Sequence, residues 1–94
     1  MPAYLVGQVT VKQPGPWAEY VDGVARSLRP YAAEILFRGR RAAVLAGEQP
    51  RELVVVIRFA DLAKLHAWHE SDAYQALVPL RERAADVVIT AYEA

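Results

Sequence analysis

Seven consecutive residues in the middle of the chain, Leu53-Val54-Val55-Val56-Ile57-Arg58-Phe59, leave little choice of architecture. Read as a strand, they put Leu53, Val55, Ile57 and Phe59 on one side and Val54, Val56 and Arg58 on the other. A strand that is apolar on both sides has both sides covered, so it belongs inside a sheet rather than at its edge. Arg58 is the exception, a charge on an otherwise covered strand. Asp61 follows, and its carboxylate can accept the free amide hydrogens of a first helical turn. The helix it opens runs to about Glu70. Leu62, Leu65, Trp68 and His69 share one stripe of it, while Lys64 and Glu70 lie towards water. Ser71 or Asp72 then starts a second helix in which Tyr74, Leu77, Val78, Arg81 and Ala85 fall together. Pro79 lacks an amide hydrogen and must kink or divide that helix. Arg81 lies where the apolar face should be, and a guanidinium there needs a carboxylate, a carbonyl or a ligand as partner.

The rest of the chain fits around this unit. Tyr4 to Val11 alternates as a strand, with Leu5, Gly7, Val9 and Val11 on one face and Tyr4, Val6, Gln8 and Thr10 on the other. The first set suits a face covered by helices; the semi-polar second set suits a subunit interface or a pocket wall. After the Gln13-Pro14-Gly15-Pro16 break, Pro16 is placed to open a helix. Trp17, Tyr20, Val21, Val24, Leu28 and Tyr31 recur along it at helical spacing, with Glu19, Asp22 and Arg26 outside. Gly23 weakens this helix and Pro30 falls near its end. Glu34 to Arg38 reads as a strand, Gly39-Arg40-Arg41 as its turn, and Ala42 to Leu45 as a short returning hairpin arm. Asp86 to Tyr92 is a final strand. The expected fold is therefore α+β, a ferredoxin-like β-α-β-β-α-β subunit with a split second helix and an antiparallel sheet carrying helices on one face. The bare face needs a cover, and a second copy packed sheet to sheet in a symmetric homodimer supplies one.

Ninety-four residues, 1–94, make one domain. A chain of this size buries only about two-thirds of its surface. An apolar fraction of 54% is generous for it and agrees with some apolar surface lying under another subunit. Eleven basic and eleven acidic side chains cancel, which argues against nucleic acid or an anionic membrane as partner. The absence of cysteine excludes thiol catalysis, disulfides and thiolate-held metals. No apolar run approaches the roughly 20 residues of a membrane span, and Met1-Pro2-Ala3-Tyr4 enters a strand with no export signal. A cytoplasmic location is the expectation.

Several spaced blocks, in order, resemble the DUF1330 family over essentially the whole chain. They are the MPAY start, Ile35-Leu36-Phe37-Arg38-Gly39, LVVVIRF, Ala67-Trp68-His69-Glu70-Ser71-Asp72-Ala73-Tyr74-Gln75 and the following Arg81. The resemblance implies a dimeric α/β barrel, in a superfamily that includes cofactor-free monooxygenases, haem-degrading enzymes and muconolactone isomerases. It supplies a fold and no reaction, since the family itself is one of unknown function. The chain has Tyr31-Ala32-Ala33 where the family tends to have His-Gly-Gly, and Arg38-Gly39-Arg40 where it tends to have Arg-Gly-Gly. Trp68 and Tyr74 resemble the pocket spacing of the superfamily's quinone-forming monooxygenases. Those enzymes and the haem degraders rely on an asparagine, and this sequence has none. Ala73 to Ala84 also lacks the histidine with which the haem degraders hold iron.

The residues with chemistry to offer are few. Trp68 and Tyr74 either sandwich a planar ligand or close the core between helices and sheet. Arg38, Arg58 and Arg81 either converge on a carboxylate or enolate, for which a guanidinium fork is well shaped, or form ion pairs with Glu34, Glu52, Glu70 or Asp86. No metal site is expected: His66 and His69 flank opposite sides of Leu62, and Glu70 points further round. The sequence reading is thus a small-molecule pocket for a hydrophobic phenolic or carboxylate compound, lined by Arg38, Arg58 and Trp68. In its catalytic form, a cofactor-free oxidoreductase or isomerase, His69 or Tyr74 moves a proton while Arg81 or Arg58 stabilises an enolate, with no bound cofactor. The rival is a non-catalytic homodimeric binding or interaction module.

Overall fold

A computed structural model describes residues 1–94. Strand β1 (Ala3–Val11) leads into helix α1 (Pro14–Ser27), a 3₁₀ turn at Arg29–Tyr31 and strand β2 (Glu34–Arg40). Strand β3 (Leu53–Phe59) is followed by three short helices, α2 (Leu62–His69), α3 (Asp72–Gln75) and α4 (Val78–Ala84), and by strand β4 (Ala85–Glu93). The four strands form one antiparallel sheet in the order β2-β3-β1-β4. This is the expected ferredoxin-like arrangement, with β3 and β1 in the interior.

The local signals act as their chemistry requires. The Asp61 carboxylate accepts the Lys64 amide hydrogen at 2.8 Å and caps α2. The Ser71 hydroxyl accepts from the Tyr74 amide at 3.2 Å and caps α3. Pro79 sits in the first turn of α4, where an amide hydrogen would have no helical partner, so the expected second helix is divided after Gln75. Ala85 falls outside that helix and opens β4 instead.

Three expectations are corrected. Helix α1 begins at Pro14 rather than Pro16; both prolines lie in a first turn whose amide hydrogens are free in any case. It ends at Ser27, and Pro30 belongs to the 3₁₀ turn, which closes with Ala32 in the left-handed region at φ 52°. No strand forms over Ala42–Leu45. These residues lie in an exposed loop, pinned at its neck by the Arg41 amide donating to the Glu52 carbonyl at 2.6 Å. Ala42 to Leu45 has no neighbouring strand to pair with beyond the edge strand β2.

The helices cover the face of the sheet that carries Leu5, Val9, Ile57 and Phe59, all buried. Trp68, Tyr74 and Phe59 are the largest side chains fully enclosed. The opposite face carries Val6, Val56, Arg58, Val88 and Tyr92, with Tyr92 55% exposed. No helix of the chain is long and apolar enough to cross a membrane.

Candidate functional site

Helix α1 packs along α4 and α3 rather than down on the sheet. Between it and the strands lies a cavity of about 380 Å³ with a mainly apolar lining. Its floor includes Leu5, Gly7, Val55 and Ile57, and its wall includes Trp17 and Tyr20 from α1. Gly7 keeps the floor low. It faces Val55 and Ile89 across the two ladders, and a Cβ placed there would stand 2.9 Å from Val55 Cγ1. A glycine in a strand interior weakens the strand and marks a close approach. Here the approach is that of the Val55 side chain on the neighbouring strand.

The charges at this cavity owe their position to one irregularity. The β2–β3 ladder pairs Ile35 with Ile57, then shifts by one so that Phe37 pairs with Val56, Arg38 with Val55 and Arg40 with Leu53. Residues directly paired across a ladder share a face. A regular continuation from Ile35 would turn Phe37 and Gly39 to the helices and Arg38 and Arg40 to the bare face. The bulge reverses this, as a single inserted residue must. Arg38 and Arg40 therefore border the cavity, while Phe37 lies on the bare face, 52% exposed. Arg40 stands 3.8 Å from the Glu52 carboxylate, both side chains well exposed. Arg38 has no acid partner.

Behind the cavity is an aromatic cluster with its polar groups joined in two chains. The Trp68 indole N–H donates to Ser27 Oγ at 2.9 Å, and Ser27 donates to the Val24 carbonyl at 2.8 Å. Trp68 thus presents only its ring to the cavity. The second chain is longer. Arg81 Nη1 donates to Tyr74 Oη at 2.9 Å, and Tyr74 Oη is bonded to Tyr20 Oη at 2.8 Å. Arg81 Nη2 also donates to Glu82 Oε1 at 2.9 Å. Burial works against the Arg81 charge, but the bonds to Glu82 and Tyr74 together outweigh it and hold the guanidinium above its ordinary pKa. Burial is also the main reason the Tyr20 hydroxyl is held well above its ordinary range, reinforced by Tyr74. Tyr20 is a donor at neutral pH and not a base.

A second recess of about 370 Å³ lies on the same face. Leu5, Val87 and Ile89 border both spaces, and His66, His69 and Arg81 supply the polar part of this one. The His69 ring lies 5.3 Å from that of Tyr74. No group of three His, Cys, Asp or Glu residues is assembled in a metal-holding arrangement.

The sequence-predicted residues are thus distributed unevenly. Arg38 and Trp68 border the first cavity, and His69 and Arg81 the second, with Tyr74 enclosed between them. Arg58 is exposed and pairs with Tyr4 and Glu34 on the bare face, so the three arginines do not converge. Trp68 and Tyr74 do not sandwich anything: their ring centroids are 4.3 Å apart and both rings are enclosed, which leaves no gap for a third ring. The ion pairs also differ from those expected, since Arg81 pairs with Glu82 and Asp86 pairs with Arg51. Tyr20, Arg40 and Gly7 were not singled out by sequence. Tyr20 was one of six residues on a regular stripe, and only its partner from α3 distinguishes it. The double Arg38-Gly39-Arg40 was visible, but its facing depends on the bulge.

Comparison with known proteins agrees with this architecture. Residues 2–94 match the family model described as a domain of unknown function, DUF1330. No curated protein matches the sequence. A protein of unknown function from Rhodopseudomonas palustris superposes with a TM-score of 0.83 at 14% identity, over 99% of this chain and 82% of that one. A dimeric ferredoxin-like protein of unknown function from Jannaschia sp. CCS1 gives 0.74 at 12% identity, with all of both chains covered. SnoaB, a cofactor-independent oxygenase from Streptomyces nogalater, gives 0.71 at 8% identity, over 99% and 92%. At these identities the likeness shows a shared ferredoxin-like fold.

Proposed function

The chain belongs to the DUF1330 family, and from that premise we propose that it binds a small hydrophobic compound carrying an anionic group in the cavity between the sheet and α1. The observation that carries this reading is the bulge in β2. It turns Arg38 and Arg40 onto the helix-covered face, at the border of an apolar space with no acid in its lining. An apolar cavity with a few converging polar groups suits an amphipathic ligand, and a guanidinium fork suits a carboxylate or phenolate. The protein acts as a homodimer, by analogy with the dimeric Jannaschia neighbour, with the two bare sheet faces packed together.

The test is a calorimetric titration with 2-naphthoate and with uncharged 2-ethylnaphthalene. The double variant Arg38→Ala/Arg40→Ala is expected to bind 2-naphthoate about tenfold or more weakly, the size expected for a lost charge-assisted hydrogen bond. Its affinity for 2-ethylnaphthalene should barely change. Equal losses for both compounds, or no binding of either by the wild-type protein, would sink the reading.

A catalytic reading is favoured by a separate observation: His69 and Arg81 border the same recess. A neutral imidazole can remove a proton while a cation stabilises the enolate formed, as an isomerase or a cofactor-free oxidoreductase requires. The cofactor-independent oxygenase SnoaB shares the fold. Arg81→Met then loses turnover while keeping its thermal midpoint close to that of wild type. An unfolded variant would mark Arg81 as structural.

A further inference from the structure

The two tyrosine hydroxyls at the back of the cavity have two hydrogens between them and one shared bond. Tyr74 is fully enclosed, and its oxygen accepts from Arg81. If Tyr20 donated to Tyr74, the Tyr74 oxygen would accept twice, and its own hydrogen would be buried with no acceptor, since Tyr74 Oη has no other hydrogen-bond partner. Leaving a buried donor unmatched carries its full desolvation cost. If Tyr74 donates to Tyr20, Tyr74 is satisfied on both sides. The chain then runs Arg81 to Tyr74 to Tyr20, and one hydrogen remains, on Tyr20. Tyr20 borders the cavity, whereas Tyr74 stands behind it and does not.

We infer that the Tyr20 hydroxyl is a specificity-determining donor that recognises a carbonyl or oxyanion oxygen on the ligand, an inference that rests on the apolar cavity being the ligand site. Its chemistry suits the task. A cation at the far end of the chain polarises Tyr74, which in turn polarises Tyr20, so the terminal O–H is a stronger donor than an isolated phenol. Burial keeps that hydrogen on the oxygen at neutral pH. The Trp68 N–H of the aromatic wall is committed to Ser27. That leaves the Tyr20 hydroxyl and the Trp17 N–H as the free donors of the wall, and of the two only Tyr20 is backed by a hydrogen-bonded chain to a cation. The ligand this arrangement fits is a flat apolar body with an oxygen acceptor on the Tyr20 side, such as an aromatic ketone, a quinone or an enolate.

Two uncharged, similarly shaped probes separate this inference from the pocket reading: 2-acetylnaphthalene, which has a carbonyl oxygen, and 2-ethylnaphthalene, which has none. Tyr20→Phe is expected to bind 2-acetylnaphthalene about three- to tenfold more weakly, the range for one net hydrogen bond, and 2-ethylnaphthalene as wild type does. Unchanged binding of the ketone by the variant, or equal weakening of both probes, overturns the inference while leaving the cavity a binding site. Failure of wild type to bind either probe overturns both. Infrared spectroscopy keeps the test open should Tyr20→Phe fail to fold. The carbonyl stretch of 2-acetylnaphthalene bound to wild type should lie below its position in hexane, and should stay lowered when bound to Arg38→Met/Arg40→Met. A stretch at the hexane position, or one that returns there in the arginine variant, overturns the assignment to Tyr20.

Discussion

Tyr20, Tyr74 and Arg81 show how much of the site depends on single atoms. Their three polar ends form a hydrogen-bonded chain with steps of 2.9 and 2.8 Å, reaching into a mainly apolar core. This chain has a consequence for stability. The Tyr20 hydroxyl is raised above its ordinary pKa of 10.0 chiefly by burial. Unfolding returns the group to that ordinary value, so the stability linked to it is complete below pH 10 and declines as the pH climbs beyond. The thermal midpoint of wild type should accordingly stay level from neutrality towards pH 10 and fall above it. Tyr20→Phe, which has no proton to lose there, should fall less steeply. Identical curves for the two proteins over the alkaline range would show that Tyr20 does not govern the loss.

Among the elements, α2 and β2 do most to shape the site. Helix α2 delivers Trp68 to the core and His69 to the second recess, and its start is fixed by the Asp61 carboxylate on the Lys64 amide. Eight residues make a helix too short to persist on propensity alone, so its cap and its packing hold it. Asp61→Ala should cost about 1 kcal/mol, measured as a shift in urea midpoint at unchanged slope. A change in slope would mean that more than the cap was lost. Strand β2 works differently. Its bulge exchanges the faces of Phe37 and Arg38, which brings charge to the cavity and leaves an aromatic ring on the bare side of the sheet. Bulges at sheet edges commonly re-aim side chains in this way.

At the scale of the whole molecule, one face of the sheet is packed under helices and the other is open. Val6, Val56, Val88 and Phe37 on the open face are a poor surface to leave in water. A second copy packed on it would be isologous, with each residue meeting its counterpart set across a two-fold axis. Light scattering at micromolar concentration should give twice the chain mass, and Val56→Asp should reduce it to the single-chain value. A stable wild-type monomer under those conditions would refute the homodimer. With no cysteine and no net formal charge, apolar contact is the main force available to such an assembly.

Much of this was legible along the chain. The alternation of β1, the two-sided apolar run of β3, the Asp61 cap and the division at Pro79 all depend on neighbours within a few residues. Local patterns report such neighbours well, and the topology followed from their order. The faces of Arg38, Arg40 and Arg58 could not be read in the same way. A strand's facing is set by its register against another strand, and a shift of one residue reverses it. The shift between Ile35 and Phe37 arises in pairing with β3, beyond an exposed loop. Trp68 and Tyr74 fell on the stripes that periodicity assigned them, yet their tilted contact, with ring centroids 4.3 Å apart, was not implied by it. The bond between Tyr20 and Tyr74 joins residues 54 apart in sequence. Periodicity can bury each tyrosine, but only the packing of α1 against α3 brings the two hydroxyls together and leaves one hydrogen over at the cavity wall.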